Sequence, residues 1–414
     1  MAKNHYCGII TGIYTVYTLG HGKGEIKMSI DIKVKENIYN FNIDDLVCLG
    51  HRINNSKRNF LFISKVLGKH IEVKPGVCKE IGFSLASLIY GKKQDEKPYK
   101  TKEDICILGF AETATGLGMA VAAAIEGSYY ITTTREDIIG VNSIINFEEE
   151  HSHATSHKCF ALESNRLINA DRIIIVDDEI TTGKSIINII KELKRITNVK
   201  KFTVLSILDW RNQENIDRLN KVACEECLLI TVLSLISGDI KINDSRIYID
   251  NNEELIEEKT KVLELKCLER VKIPTALKPT GESYLSHSGR FGVDFKEIEK
   301  LEEKCREVAL KIQEKIGENE KILVLGHGEN IYIPSRVASY LNAEVYFKST
   351  TRSPIFCDDI EGYPIKQKNV FYHNGVKYYF YNKDEIEKKY HRVILITEDD
   401  LNVKLTNNII IVKI

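Results

Sequence analysis

Short apolar runs alternate with helical segments along most of this chain, and that alternation limits what it can build more than any other feature. KEDICILGF precedes TGLGMAVAAAIEG, SYYITTT precedes a polar loop, RIIIV precedes KSIINIIKELKRI, and KFTVLSIL follows. The apolar runs have strand length, whereas the segments between them carry helical spacing or small helix-forming residues. Neighbouring parallel strands need long crossovers, so this order predicts parallel βαβ units with right-handed connections. In such sheets ligands bind beyond the carboxyl ends of the strands.

At 414 residues the chain exceeds one ordinary core. Between Val271 and Gly281 it reads VKIPTALKPTG, where prolines and a glycine interrupt any period. We therefore expect a first domain over 1–272, including an N-terminal hood, a linker over 273–281 and a second, smaller α/β domain over 282–414. In the second, FKEIEKLEEKCREVALKIQEKI is an amphipathic helix, KILVLGHGENIYIPSRVASYL reads strand, loop, helix, and AEVYFKS is a further strand.

Hydrophobic residues make up 43% and charged residues 28%, the balance of a globular protein, and the net charge of −1 gives no global field to recruit nucleic acid or an anionic membrane. The start, MAKNHYCGIITGIY, lacks a signal-type apolar region, and no apolar run approaches the ~18 residues of a membrane span. Ten cysteines without a regular framework fit reduced thiols, so a cytoplasmic location is expected. The lone CxxC of Cys224 and Cys227 precedes LLITVLSLI and reads as thiols entering a buried strand, with zinc or redox use as the alternative.

The stretch RIIIVDDEITTGKSIINII carries the most chemistry. Two adjacent carboxylates at a strand end repel, and a helix opening on Thr-Thr-Gly leaves backbone N–H groups without partners. A bound ligand resolves both. Thr181, Thr182, Gly183, Lys184 and Ser185 suit a phosphate at a helix start, and Asp177 and Asp178 suit sugar hydroxyls. Together they describe ribose 5-phosphate. An acidic turn capping a helix explains neither the paired acids nor the loop, and a Walker A loop would need glycine at Asp178.

VDDEITTGKS closely resembles the signature of type I phosphoribosyltransferases, in which the acidic pair holds the ribose hydroxyls of phosphoribosyl pyrophosphate (PRPP) and the following loop its 5-phosphate. With GFAETATGLG, LGKHIEVKPG, ITTTRED and FEEEHSHATSH, it resembles the orotate-phosphoribosyltransferase-like branch of tellurite-resistance and stress-response operons. That branch is often fused to a domain named for a Thr-Arg-Ser-Pro tetrapeptide, which Thr351, Arg352, Ser353 and Pro354 supply here. The resemblance runs from about residue 40 to the end. It implies a type I phosphoribosyltransferase sheet, parallel with helices on both faces.

It also assigns further candidates. Glu112, Thr113, Ala114, Thr115 and Gly116 stand where the pyrophosphate loop is expected, with backbone amides and the two threonine hydroxyls as donors; a plain helix cap is the alternative. Arg52, Lys57, Arg58, Lys69 and His70 form the densest cationic region before the sheet, and Arg135 is a second source of charge for pyrophosphate. His151, His153 and His157 invite a metal reading, but the resemblance puts Glu149, His151 and His153 in a mobile catalytic loop over PRPP. In the second domain Gly326, His327, Gly328 and Glu329 follow a strand, and Arg290, Thr351, Arg352 and Ser353 are further ligand candidates.

The implied reaction forms or cleaves an N-ribosyl 5-phosphate from PRPP and an unidentified base or nitrogen acceptor. Mg²⁺ is held mainly through PRPP, with no direct protein ligand set. A homodimer is expected because type I relatives commonly dimerise. Two other readings stay open: a PRPP-sensing regulator, for which no nucleic-acid-binding module is evident, and a scaffold that binds without turnover.

Overall fold

The computed structural model describes residues 13–19, 28–55, 58–92, 97–138, 140–148, 156–242, 247–249, 253–274, 282–317 and 319–414. At its centre lies the strand Arg172–Ile180, in which Ile173 to Val176 are wholly buried and the acids Asp177 to Glu179 are half-buried at the carboxyl end. Its neighbours are Lys201–Asp209 on one side and Ile105–Gly109 on the other, both parallel to it. Beyond these, Leu229–Ile242 and Tyr129–Thr134 complete a parallel core. Apart from Leu229–Ile242, which is partly exposed, these strands are buried on both faces, which is why they read as continuous apolar runs instead of alternating.

Across this core the strands stand second, first, third, fourth, fifth in chain order. The winding therefore reverses between Ile105–Gly109 and Arg172–Ile180. Right-handed crossovers leaving in opposite directions put their helices, Ala114–Ala123 and Lys184–Ile196, on opposite faces. The reversal opens a crevice above the two strand ends, the place where such sheets hold ligands. Antiparallel strands close the edges: Ile13–Leu19 with Met28–Asn37 on one side, Ser156–Cys159 with Ile145–Glu148 on the other.

The C-terminal part repeats the logic on a smaller scale. Lys321–Gly326, Glu344–Ser349, Arg392–Thr397 and Ile409–Lys413 are all parallel and again stand second, first, third, fourth, so this sheet reverses between Lys321–Gly326 and Arg392–Thr397. A hairpin, Lys368–His373 with Val376–Tyr381, covers the carboxyl ends. The helix Phe295–Gln313 starts on a capping box between Asp294 and Glu297 and buries Ile298, Leu301, Cys305, Val308 and Ile312, the stripe expected from its spacing.

The two parts are more interwoven than an open linker suggests. Arg270–Ile273 and Glu282–Leu285, which flank the proline-containing stretch, pair as a hairpin, while 275–281 lie outside the described residues. Glu253–Leu255 and Val262–Glu264, within the range assigned to the first domain, pair with Lys368–His373 and Ile409–Lys413. In return Val293–Asp294 adds to Tyr129–Tyr130 of the large sheet. The CxxC pair differs from expectation. Cys224 lies in the last turn of the helix Gln213–Glu225 and Cys227 in the turn beyond at φ 52, both exposed, because the following strand begins only at Leu229. Among the described residues no helix is long and apolar enough to cross a membrane.

Every residue from Ala114 to Ala122 is buried, which explains a helix that is small and apolar all round. It packs against Val77–Tyr90, where a Cβ on Gly82 would stand 2.5 Å from the Ala120 Cβ and 2.6 Å from its carbonyl carbon. Gly82→Ala should therefore cost about 1–3 kcal/mol through overpacking, read as a lower urea midpoint with an unchanged slope.

Candidate functional site

Gly109 faces Val176 across the central ladder and the Phe110 amide donates to the Val176 carbonyl at 3.2 Å, so the chain leaves both strands side by side. One exit carries the paired acids, the other the loop beginning at Ala111. Asp177 Oδ1 accepts the Asp178 amide at 2.9 Å. Glu179, the third acid, is held by Arg58 at 2.7 and 2.8 Å, with the guanidinium 4.7 Å from the Phe60 ring centre. Arg58 thus steadies the signature strand from the N-terminal hairpin Val47–His51 and Phe60–Ser64. Arg52 pairs by its backbone with Ile355, and Lys57 lies outside the described residues.

The turn after the acids is shaped by Gly183 at φ 70, a left-handed conformation glycine adopts without strain. A Cβ there would meet the Arg211 Cδ at 3.3 Å. Arg211, which sequence reasoning missed, grips Asp209 through Nε at 2.9 Å and Nη2 at 2.7 Å at the end of the adjoining strand. Thr182 Oγ1 accepts the Lys184 amide at 3.4 Å, and no side chain at Gly183 caps the helix Lys184–Ile196. Thr181, Thr182, Lys184 and Ser185 are half-buried around this amino end, whose dipole favours an anion.

The expected pyrophosphate loop is partly helical and faces the second unit. The helix begins at Ala114, so Thr115 and Gly116 lie within it, and a Cβ on Gly116 would touch Ile331 Cγ2 at 2.9 Å. Thr115 Oγ1 donates towards the Glu112 carbonyl at 3.1 Å and the Glu329 carbonyl at 2.9 Å. Glu112 is buried, with Lys69 Nζ at 3.2 Å. Its other contacts come from the tetrapeptide: Thr351 Oγ1 donates at 3.1 Å and the Arg352 amide at 3.2 Å. Lys69 Nζ also donates to Thr113 Oγ1 at 2.8 Å. Burial pushes the Glu112 carboxyl up, but Lys69, Arg135 and Arg352 pull it down further, to about 2. His70 beside it is held well below the usual imidazole range by burial and by Lys69.

Other second-unit candidates also close on the large sheet. Glu329 accepts Thr134 Oγ1–H at 2.6 Å and the Arg135 amide at 2.8 Å; burial, then Glu136, raises its carboxyl. Arg290 is committed to protein carboxylates, to Glu398 at 3.0 Å and Glu136 at 3.3 Å. Arg352 donates through Nη2 to the Tyr378 hydroxyl at 2.8 Å. The Ser353 amide donates to Thr351 Oγ1 at 3.0 Å, and Gly326 ends its strand. Glu136, Tyr378, His373, Glu398 and Asp399 were missed. For the last two a signal existed, since VILIT runs into EDD as RIIIV runs into DDE.

Glu149, His151 and His153 lie outside the described residues. His157 is buried in the strand Ser156–Cys159 with Nδ1 3.1 Å from Thr133 Oγ1, which ties it to the core. Among the described residues no group of three or more side chains is arranged to hold a metal ion.

Two tests follow from Glu112. Thr351→Val leaves a buried carboxylate short of a donor and should cost about 1–3 kcal/mol in urea unfolding, while Thr351→Ser restores most of it. Because folding depresses this carboxyl from 4.5 to about 2, its stabilisation is complete above pH 4.5 and is lost as pH falls towards 2. The slope it adds there is at most about 1.4 kcal/mol per pH unit. Glu112→Gln should make the acid limb of the stability curve shallower by that contribution.

Two family models match the chain. Residues 46–239 match the family model described as phosphoribosyl transferase, PRTase_2, and residues 287–412 match the TRSP domain C-terminal to PRTase_2. No curated protein matches the chain. Similar solved structures include the adenine phosphoribosyl transferase of Trypanosoma brucei in complex with AMP, pyrophosphate and ribose-5-phosphate, at 13% identity over 46% of this chain and 76% of that one, TM-score 0.29. The Leishmania donovani enzyme is 14% identical over 45% and 75%, TM-score 0.28. That of Thermoanaerobacter pseudethanolicus is 13% identical over 45% and 95%, TM-score 0.26. Residues 46–239 of this chain belong to the phosphoribosyl transferase family, and residues 287–412 are the TRSP domain that is fused behind it.

Proposed function

We propose that the protein transfers a 5-phosphoribosyl group between PRPP and a nitrogen base, forming or cleaving an N-ribosyl 5-phosphate. The observation that carries this reading is the uninterrupted VDDEITTGKS at the carboxyl end of the central strand, with Gly183 in the left-handed region where the helix Lys184–Ile196 opens. These residues lie where the sheet reverses its winding, beside the exit of Ile105–Gly109, which supports the reading.

On this reading Asp177 and Asp178 accept hydrogen bonds from the two ribose hydroxyls, and the amides and hydroxyls from Thr181 to Ser185 hold the 5-phosphate. As the C1–oxygen bond breaks, pyrophosphate leaves with the electron pair. The base nitrogen forms the new bond to C1 and gives up its proton. The sugar passes through an oxocarbenium-like state, which the two carboxylates stabilise by charge and position. The signature fits Mg²⁺ carried in with PRPP: Glu179 and Asp209 are paired with Arg58 and Arg211, and Asp177 and Asp178 are the acids that would approach the ribose and its ion. The ion supplies charge neutralisation to the pyrophosphate oxygens. Glu149, His151 and His153 are proposed to close over the sugar and exclude water. The operon-type resemblance supports a role in a stress or tellurite-resistance pathway, the cysteine usage a cytoplasmic location, and the resemblance to type I relatives a homodimer.

Calorimetry with PRPP and Mg²⁺ tests the reading. Asp177→Asn with Asp178→Asn should weaken binding at least about 100-fold, the loss of two charge-assisted contacts, with an unchanged circular dichroism spectrum. Unchanged affinity would overturn the site. Pyrophosphate release against a panel of bases then separates an enzyme from a PRPP-binding regulator or scaffold, which would bind without release.

A further inference from the structure

The C-terminal sheet reverses its winding between Lys321–Gly326 and Arg392–Thr397, so the rule that locates the first site calls for a second crevice beyond these strand ends. The side chains gathered there are chemically active. His327 leaves the first strand and Asp399 follows the third. Thr350 and Arg352 leave Glu344–Ser349, and the covering hairpin brings His373 and Tyr378. The His327 ring lies 4.3 Å from that of Tyr378 and 5.3 Å from that of His373, and His373 Nε2 stands 3.5 Å from Asp399 Oδ2. Phosphoribosyl transfer as proposed above uses none of these groups.

His327 is 9% exposed, and its Nδ1 lies 2.8 Å from Thr350 Oγ1. That oxygen accepts the Gly328 amide at 3.3 Å and has its own proton to give, for which Nδ1 is an acceptor in one of the two neutral tautomers. In that tautomer the imidazole proton is on Nε2, the form the site proposed below requires. Burial, with His373 and Arg352 nearby, lowers the imidazole to about 3, so it is a neutral donor at ordinary pH. Yet Nε2 meets no hydrogen-bond partner among the described residues. A buried donor of this kind calls for an acceptor oxygen.

The charges point the same way. Lys69 is paired with Glu112, Arg290 with Glu398, and Asp399 faces His373. Arg352 is held more loosely: its guanidinium bonds to the neutral Tyr378 hydroxyl at 2.8 and 3.2 Å, and its ion pair with Glu136 is longer, at 3.6 Å. The loop at His327 also opens the helix Tyr332–Ser339, whose amino end favours negative charge.

We propose that this reversal point is a second ligand site, which binds the phosphate of a sugar phosphomonoester through His327 Nε2–H and the Arg352 guanidinium. The choice of a phosphomonoester rests on the phosphoribosyl-transfer reading. The Arg352 amide is bonded to Glu112 of the first site's loop, so a phosphoribosylated product arises across that one side chain from the second site.

The test is titration of the full chain with ribose 5-phosphate by calorimetry. Two equivalents should bind. Asp177→Asn with Asp178→Asn should remove one, and His327→Gln or Arg352→Gln should weaken the other at least about tenfold, the loss of one such contact. Tyr378→Phe, which removes only the hydroxyl that orients Arg352, should weaken it several-fold and guards against a variant that fails to fold. Inorganic phosphate should displace the second equivalent. A single equivalent that vanishes in the Asp177/Asp178 variant and ignores His327→Gln and Arg352→Gln overturns the second site and leaves the first intact. Failure of inorganic phosphate to compete overturns the phosphate assignment. Two equivalents that survive the Asp177/Asp178 change, with one lost in Arg352→Gln, uphold the second site and overturn the first.

Discussion

A buried carboxylate joins the two halves of this protein. Glu112 has left water entirely, and its compensation comes from both units: Lys69 from the first, the Thr351 hydroxyl and Arg352 amide from the second. A buried charge stripped of a partner costs about 3–5 kcal/mol, so neither unit can withdraw cheaply. The Thr-Arg-Ser-Pro tetrapeptide therefore acts first as a clasp. It fixes the start of the loop that runs beside the paired acids, and with it the wall of the proposed PRPP site.

That clasp sets the geometry of everything around it. Both parallel sheets reverse their winding at the strands that approach the interface, so the loops of each are turned towards the other. Glu329 crosses to Thr134 and Arg135, and Arg290 ties Glu398 to Glu136. The two proposed sites, placed by the same topological rule, thereby stand on either side of this interface.

Much of the first unit was legible because its signals are local. Continuous apolar runs mark strands buried on both faces, and the small apolar helix after Ile105–Gly109 announces burial all round. The signature shows its place, since acids, glycine and helix start follow one another without a gap. The pyrophosphate loop was misjudged in detail. Thr115 and Glu112 look like free donors and acceptors in sequence, but their partners lie more than two hundred residues away. Arg58 and Arg290 read as ligand clamps for the same reason, and both are spent on carboxylates of the fold. The thiols of Cys224 and Cys227 are exposed because a turn separates the helix from the strand.

By itself, the sequence determined the alternation of strands and helices in two α/β units and the contiguous signature at residues 177–185, because periodicity and contiguous motifs act over a few residues. Only the tertiary structure decided which charges are spent on each other and which face a ligand. Pairings such as Glu112 with Thr351, or His327 with His373 and Asp399, depend on how two sheets dock, and docking leaves no spacing in the chain.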